Sequence, residues 1–267
     1  MRNFFFKLFS DTPTGCGVEI ESFNLWHFFY CILILGLIVF AYFALRNKSA
    51  EAKEKLLRGI ALFLIISYIS DYFFHDFVYA SYDAETGEYT ASGLNMDKLP
   101  FHICTSMSIV ATFAQFNKRL ERFLEPICAV AIVGPLMYLC YPSTGVGGEP
   151  WCYRVVQTMF FHGALIAWGI LSIGFGKTSL RWKNIWKSAI LLACITAWAK
   201  LGCTMLEYNW MFLLYNPLGI PGIDLPWLLP ILIPLFIFTG VVAIYGINSA
   251  IIAIANKLSK NKNHTTP

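Results

Sequence analysis

Charged residues are scarce in this sequence. Only 13% of its 267 residues are Asp, Glu, Lys or Arg, against about 25% in an ordinary soluble domain. Hydrophobic residues make up 57% of the chain, and the mean hydropathy is +0.58. A chain of this composition would precipitate from water, so it is not a soluble protein and we expect lipid to be its solvent.

Several motifs of nucleotide and metal enzymes are also absent. The sequence has no G-x-x-x-x-G-K-[ST] or G-x-G-x-x-G loop and no H-x-x-x-H or H-E-x-x-H spacing. We find no internal repeat, and the first apolar run lacks the A-x-A exit of a cleavable signal peptide. Because Lys and Arg flank the apolar runs, we expect no nucleic-acid partner, and nothing in the sequence implies a cofactor.

Seven apolar runs separated by polar connectors make up most of the chain. A membrane-spanning helix needs about 20 apolar residues, a length that the third run barely approaches. The runs predict an all-α polytopic membrane protein with about seven transmembrane helices in one domain, 24–252, between an N-terminal segment, 1–23, and a basic tail, 253–267. The runs lie at 24–45, 59–80, 100–116, 123–141, 154–175, 185–206 and 226–252.

The basic residues alternate from one connector to the next. Lys and Arg concentrate after the first, third and fifth runs and in the tail, whereas the other connectors hold few. The positive-inside rule therefore predicts an N-terminus outside the cell and a C-terminus in the cytosol. We expect an integral protein of a bacterial cytoplasmic membrane, whose loops 81–99, 142–153 and 207–225 face outward.

Ionisable and thiol side chains inside the apolar runs are few, and their cost in lipid makes each a functional candidate. In the predicted topology nearly all of them lie in the outer half of the bundle, and the cytosolic half is almost bare. They predict an outward-facing polar cleft between the second, third, fifth and sixth runs. The candidates are His27, Asp71, His75, Asp76, His102, Cys104, His162, Lys200 and Glu207.

Cys104 is the candidate nucleophile. Pro100 suits the first turn of a helix, which would place Cys104 near the positive end of the helix dipole, where a thiolate is stabilised. Its base must come within hydrogen-bond reach. His102 is about 200° around the helix, so His162 or His75 is the better partner. A packing role for Cys104, and a structural pairing of His75 with Asp71, remain alternatives.

Three cysteines fall on the predicted outer surface. Cys16, Cys140 and Cys152 lie outside the apolar cores of the runs, so a disulfide among them is compatible with an oxidising exterior. The sequence does not choose the pair.

A hexapeptide around Cys104 resembles a family signature. Leu99–Cys104, LPFHIC, resembles the L-P-[LF]-H-[LI]-C motif of the YwaF-like family of bacterial integral membrane proteins. Further similarities follow in order between about 60 and 235: Tyr141-Pro142, His162-Gly163, and Asn209–Leu213 with Pro217. The sequence departs from the family where Ser143 replaces an acid and Trp210 replaces a Tyr.

This resemblance implies an activity. The family has a vertebrate branch whose characterised member looks like a lipid acyltransferase. By resemblance, Cys104 would carry the acyl group as a thioester, with His162, assisted by His102, as base, and membrane phospholipids as substrates. Asn209 or a helix-end N–H would hold the oxyanion, and we expect substrate contacts from His75, Asp71, Asn209 and Glu207, without a metal.

Two other functions fit the same residues. A zinc-dependent membrane hydrolase would use Asp71, His75, His102 and His162 around an open water position. A transporter or small-ligand-binding protein would use Lys200, Glu207 and the Pro-rich last run, since broken helices suit transporters. The missing repeat and the bare cytosolic half count against a route through the bundle.

Overall fold

The computed structural model describes residues 2–10, 18–74, 77, 80–83, 86–91, 96–140, 147–215 and 227–264. Within these residues the chain is almost entirely helical. Four short 3₁₀ turns, Met96–Lys98, Lys118–Phe123, Trp182–Asn184 and Trp210–Phe212, adjoin the helices. The α-helices are α1 (Arg2–Phe9), α2 (Leu25–Leu45), α3 (Ala50–Phe73), α4 (Ile103–Phe116), α5 (Leu124–Cys140), α6 (Tyr153–Gly174), α7 (Ile185–Leu206) and α8 (Leu229–His264).

Each of the helices α2 to α8 overlaps one of the seven apolar runs, but α3 begins at Ala50, well before its run 59–80, and α8 continues past 252 to His264. Among the described residues, six of them are long and apolar enough to cross a membrane. The exception is α4, whose 14 residues reach only about 21 Å at 1.5 Å per residue, short of a hydrocarbon core of about 30 Å. The prediction of an all-helical chain with several membrane-spanning helices is confirmed. The assignment of six helices as spans is based on their length and composition.

Two helix starts show why the boundaries fall where they do. The side chain of Asn24 accepts a hydrogen bond from the backbone N–H of His27 at 3.0 Å, which caps α2. Ser49 caps α3 in the same way through the N–H of Ala52 at 3.2 Å. Each cap satisfies an N–H group that the helix itself leaves unpaired.

The helix α5 forms the centre of the bundle. It is buried along most of its length and packs against α4, α6, α7 and α8. A Cβ atom on Gly169 of α6 would lie 2.7 Å from the side chain of Ile132, so these two helices approach as closely as glycine permits. At the periphery, α2 and α8 expose large apolar side chains such as Phe40 and Ile247, as a lipid-facing surface requires.

One end of the bundle, which we call the Cys104 end, carries structure that the sequence did not predict. The N-terminal helix α1 packs there, with the ring of Phe9 stacked 4.6 Å from Phe74 and 4.9 Å from Tyr153. The predicted polar loop 81–99 contains an antiparallel hairpin of β1 (Ser81–Asp83) and β2 (Glu88–Thr90). The segment 1–23 is therefore partly helical and packed rather than an unstructured extension.

The opposite end, which we call the Glu125 end, is not bare of polar groups. Glu125 is buried in the first turn of α5. Nearby, Gln115 donates to Glu54 at 2.8 Å, and Glu54 forms an ion pair with Lys177 at 2.9 Å. Trp168 donates to Gln115 at 2.9 Å. The prediction of a bare half was wrong because it overlooked Glu125 inside an apolar run and treated the flanking charges as solvated.

Of the three cysteines among which a surface disulfide was possible, Cys140 and Cys152 are both free thiols. Cys140 is exposed and Cys152 is buried, and the two are not bonded to each other. Cys16 lies outside the described residues.

Candidate active site at the start of helix α4

Backbone hydrogen bonds fix the segment that leads into α4. The carbonyl oxygen of Pro100 accepts two bonds, from Nε1 of Trp198 at 2.7 Å and from Oγ of Ser106 at 2.8 Å. The indole of Trp210 donates to the carbonyl of Met96 at 3.1 Å. Since Trp198 belongs to α7 and Trp210 to the loop after it, the hexapeptide is held by groups about 100 residues away in sequence.

Phe101 anchors the same segment by its ring. It stacks on Trp198 at 4.9 Å and lies 4.7 Å from the ring of Trp210. On a third side it covers Gly202, where a Cβ atom would come within 2.5 Å of the Phe101 ring. Glycine at 202 thus lets Phe101 seat against α7, which sets the position of His102 and Cys104.

A buried ion pair holds the 3₁₀ turn before the hexapeptide. Nζ of Lys98 lies 2.8 Å from Oδ2 of Asp71, which is buried in α3. The hydroxyl of Tyr153 also hydrogen-bonds Asp71, and the hydroxyl of Tyr72 donates to the carbonyl of Lys98 at 2.8 Å. Asp71 therefore fastens the loop, and its predicted partner His75 lies outside the described residues, as does Asp76.

Cys104 is the second residue of α4, and its side chain is buried. Among the described residues its thiol has no hydrogen-bond partner, so neither histidine contacts it directly. The N-cap residue, His102, makes no side-chain cap bond. Within the same described part of the chain, the backbone N–H groups of Ile103, Cys104 and Thr105 have no acceptor, which leaves donors beside the thiol that suit a developing oxyanion.

His162 has a defined tautomer. Its Nδ1 lies 2.7 Å from the carbonyl oxygen of Thr158, one turn earlier in α6. Because a carbonyl only accepts, Nδ1 must carry the proton, and Nε2 of the neutral ring is then an acceptor. The ring is buried and stacks on Tyr138 with the centroids 3.7 Å apart. His162 is thus a fixed imidazole whose Nε2 has the lone pair that can take a proton.

His102 has the opposite arrangement. Its Nδ1 accepts a long bond of 3.4 Å from the backbone N–H of Met211, so the proton of the neutral ring lies on Nε2. Its ring also contacts Phe212, with centroids 6.4 Å apart. His102 and Lys98 are within range of an electrostatic interaction with His162. The structure therefore brings His102 and His162 near each other, and Cys104 follows His102 by two residues at the start of α4.

The loop 207–215 contacts His102 through the N–H of Met211. The side-chain oxygen of Asn209 accepts from the N–H groups of Leu214 at 2.8 Å and Tyr215 at 3.3 Å, and its amide donates to the Tyr215 carbonyl at 2.9 Å. Asn209 thus shapes the loop with one of the two N–H groups of its amide, and its expected role at an oxyanion stays a prediction. Glu207 is exposed at the start of the loop.

Backbone strain is concentrated in that loop. Glu207, Met211 and Phe212 have φ values of 52°, 52° and 58°, in the left-handed region that disfavours residues with a Cβ atom. Each such residue costs of order 1–3 kcal/mol, and such strain tends to cluster at functional sites. The loop that contacts His102 therefore contains three residues with strained backbone, and a change in the conformation of the loop would release that strain.

Two other predicted candidates are placed differently. His27 accepts from the N–H of Phe23 at 3.0 Å through Nδ1, and its Nε2 bonds the carbonyl of Leu139 at 2.7 Å. Both ring nitrogens thus tie α2 to the rest of the Cys104 end. Within the described residues no three His, Cys, Asp or Glu side chains could hold a metal ion, and His75 of the three-His alternative lies outside them.

Sequence reasoning missed the residues that hold the site. Lys98, Trp198, Gly202 and Trp210 were not candidates, although Lys98 directly precedes the hexapeptide. An adjacent lysine on the predicted outer side, where basic residues are rare, was the available signal. The two tryptophans gave none, because aromatic residues near span ends are ordinary.

The chain matches the TMEM164 family over residues 22–248. It belongs to the TMEM164 family. The matched region contains His102, Cys104, His162 and Asn209 together with α2 to α7. A TMEM164 family assignment agrees with a multi-pass membrane protein, and the resemblance to the YwaF-like family stays a prediction. No curated protein and no solved structure matches the chain.

Proposed function

We propose that this TMEM164 family protein transfers acyl groups between membrane lipids through a thioester on Cys104. The observation that carries the proposal is the arrangement at the start of α4. A buried thiol lies among three backbone N–H groups that have no acceptor within the described chain. His102, two residues before the thiol, interacts electrostatically with His162. The Nδ1 bonds of the two rings make Nε2 of His162 a proton acceptor and Nε2 of His102 a proton donor.

In the first half-reaction, Sγ of Cys104 attacks the ester carbonyl of a phospholipid while its proton passes to Nε2 of His162. The carbonyl oxygen becomes an oxyanion next to the N–H groups of Ile103, Cys104 and Thr105. The carbon–oxygen bond to the glycerol then breaks, and the leaving alkoxide takes the proton from His162. The products are a Cys104 thioester and a lysolipid.

In the second half-reaction, the hydroxyl of an acceptor lipid gives its proton to Nε2 of His162 and attacks the thioester carbonyl. The carbon–sulfur bond breaks, and the thiolate of Cys104 recovers the proton from His162. His102, with its proton on Nε2, serves as a donor to the substrate rather than as a second base. No cofactor enters either half-reaction.

Access to Cys104 requires movement, because the thiol is buried and contacts neither histidine through a hydrogen bond in the described chain. The strained loop 207–215 is the part that moves in this proposal. Its displacement frees the Met211 N–H from His102 and opens the site to a lipid ester. Catalytic hydrogen bonds are often incomplete before the substrate is bound.

The orientation in the membrane is part of the proposal. We place the N-terminus outside and the C-terminus in the cytosol of a bacterial cytoplasmic membrane, with α4 as a short seventh transmembrane helix. The division into 1–23, 24–252 and 253–267 follows from that topology, although α8 extends to His264. The Cys104 end then lies at the outer leaflet, where phospholipid ester carbonyls lie. Substrate contacts from Asp71, His75, Asn209 and Glu207 belong to the same proposal.

Intact-protein mass spectrometry after incubation with phospholipid tests the mechanism. We expect a fatty-acyl mass addition on the wild-type chain that hydroxylamine removes, and no addition on Cys104→Ala. Cys128→Ala is the matched control, because Cys128 is also a buried free cysteine but lies in the first half of α5 rather than at the start of α4. In His162→Gln the rate of adduct formation should fall by about 10²- to 10⁴-fold, the usual contribution of a general base.

An adduct that persists in Cys104→Ala, or that Cys128→Ala abolishes equally, would overturn the assignment of the nucleophile. Absence of any adduct in folded wild-type protein with several phospholipids would reject the acyl-transfer mechanism and favour the transporter or metal alternatives.

A further inference from the structure

A polar cavity of about 510 Å³ opens at the Glu125 end of the bundle. It lies between the 3₁₀ turn before α5, the connector from α6 to α7, and α8. Four cationic side chains and two carboxylates line it: Arg122, Lys177, Arg181, Lys187, Glu121 and Glu125. The catalytic site proposed above uses none of these residues.

The charges in this cavity do not cancel. Both oxygens of Glu125 are occupied, by the backbone N–H of Arg181 at 2.6 Å and by the amide of Asn184 at 2.6 Å. Lys177 is held by Glu54, which lies outside the lining, at 2.9 Å. Arg122 and Lys187 have no carboxylate partner anywhere in the described chain. Arg181 lies 3.9 Å from Glu125, and Glu121, which also lines the cavity, pairs with no cation in the described chain. The unpaired lining charges are therefore Arg122 and Lys187 against Glu121, which leaves a net excess of one cation for an anion that enters the cavity.

Neutral donors accompany these cations. The hydroxyls of Thr178 and Ser179 line the cavity and make no hydrogen bond to any residue that the structure describes. Cations together with hydroxyl donors form the set that recognises the oxygens of a phosphate group. The volume lies within the usual range of about 300–1,000 Å³ for small-ligand sites, which leaves room for the group that carries the phosphate.

The concave arrangement distinguishes this cluster from ordinary flanking charges. Lys and Arg that only set the orientation of a membrane protein do not need to point into one cavity, because the orientation depends on how many of them lie near the ends of the spans. Here four of them converge on one cavity whose carboxylates are already engaged or outnumbered. We infer that this cavity binds a phosphate group, carried either by an anionic lipid head group or by a soluble phosphate ester.

The site is separate from Cys104. The 3₁₀ turn with Arg122 follows the end of α4, whereas Cys104 lies in its first turn. At 1.5 Å per residue the length of α4 separates the two by about 20 Å, so one ligand cannot contact both. The inference therefore stands or falls independently of the thioester mechanism.

Binding to the full chain in uncharged detergent tests this inference, with ionic strength held constant by chloride. The probes are inorganic phosphate and mixed micelles that contain phosphatidylglycerol or, for comparison, phosphatidylcholine. We expect saturable stabilisation of the folded chain, measured as a rise in melting temperature. Arg122→Gln combined with Lys187→Gln should raise the dissociation constant by about tenfold or more, since each substitution removes a charge-assisted contact.

Arg119→Gln combined with Lys183→Gln is the matched control. Arg119 is exposed in the same 3₁₀ turn as Arg122, Lys183 is exposed in the 3₁₀ turn directly before the helix of Lys187, and both lie outside the cavity lining. This pair should change the dissociation constant less than about twofold, as expected for screened surface charges. Binding of phosphatidylglycerol alone would identify the lipid head group as the source of the phosphate, and binding of inorganic phosphate as well would show that the phosphate group suffices. Failure of both probes to bind saturably, or an equal loss in the control pair, would overturn the inference.

Discussion

At the scale of single residues, the site depends on side chains that hold the candidate catalytic residues in position. Asp71 is the clearest case, because its carboxylate neutralises Lys98 at 2.8 Å while the carbonyl of Lys98 accepts from Tyr72. This arrangement fastens the turn that precedes the hexapeptide. Asp71 thus positions Cys104 and His102 through the backbone, and we expect its loss to act mainly on the order of that turn.

Asp71→Asn should destabilise the chain. The substitution keeps the shape and one acceptor for Tyr153 but removes the negative charge that lies 2.8 Å from Lys98 in a largely buried place. Breaking a buried pair costs about 3–5 kcal/mol, and the partial exposure of Lys98 reduces this to about 2 kcal/mol. Thermal unfolding in detergent measures the change. Arg58→Gln is the control, because its ion pair with Glu54 is exposed and worth less than about 1 kcal/mol. Equal shifts in both variants would contradict the positioning role.

At the scale of helices, the sequence predicts most of the architecture. An apolar run that lies in lipid must satisfy its own backbone hydrogen bonds, and a helix does so. Each run from 24–45 to 226–252 accordingly contains or overlaps one helix. The short third run emerged as the 14-residue α4. The N-terminal helix α1 and the β1–β2 hairpin were missed because eight residues and three residues carry too little periodicity to stand out.

The candidate site was predicted in part for the same physical reason. The cost of polar groups in lipid singled out Cys104, His102, His162 and Asp71 without any contact information. Which nitrogen of each histidine carries a proton depends on carbonyl and N–H groups from other turns and loops, which only the fold supplies. Asn209 illustrates the same dependence, since its side-chain oxygen and one N–H of its amide are engaged in shaping its own loop, which the sequence did not indicate.

Gly202 offers a test at the scale of helix packing. In Gly202→Ala the new Cβ atom would lie 2.5 Å from the Phe101 ring, so Phe101 and the hexapeptide must shift away from α7. Overpacking of this kind costs about 1–3 kcal/mol, and we expect slower acylation of Cys104 as well as a lower melting temperature. Gly59→Ala is the control, because nothing lies within 4 Å of its Cβ position in α3. An acylation rate for Gly202→Ala equal to that of the control would contradict the role of this contact.

At the scale of the whole molecule, polar chemistry is divided between two ends of an apolar bundle. The Cys104 end holds the thiol, the two histidines and a strained loop, and the Glu125 end holds the basic cavity. A bilayer separates its two head-group layers by an apolar core of about 30 Å, so these ends face different leaflets if the helices cross it. The proposed acyl transfer and the proposed phosphate site then act on opposite sides of one membrane.

The orientation can be measured with two matched substitutions at opposite ends of α3. Glu51 and Glu88 are both exposed, one at the start of α3 and the other in the hairpin beyond its end. We expect a membrane-impermeant maleimide to label Glu88→Cys in intact cells, because the positive-inside rule predicts that the Cys104 end faces outward. Glu51→Cys should react only after the membrane is permeabilised. A parent chain with Cys16 and Cys140 replaced by Ser gives the background. The reverse pattern would invert the topology and place the thioester chemistry at the cytosolic leaflet, and labelling of both sites from one side would exclude α3 as a span.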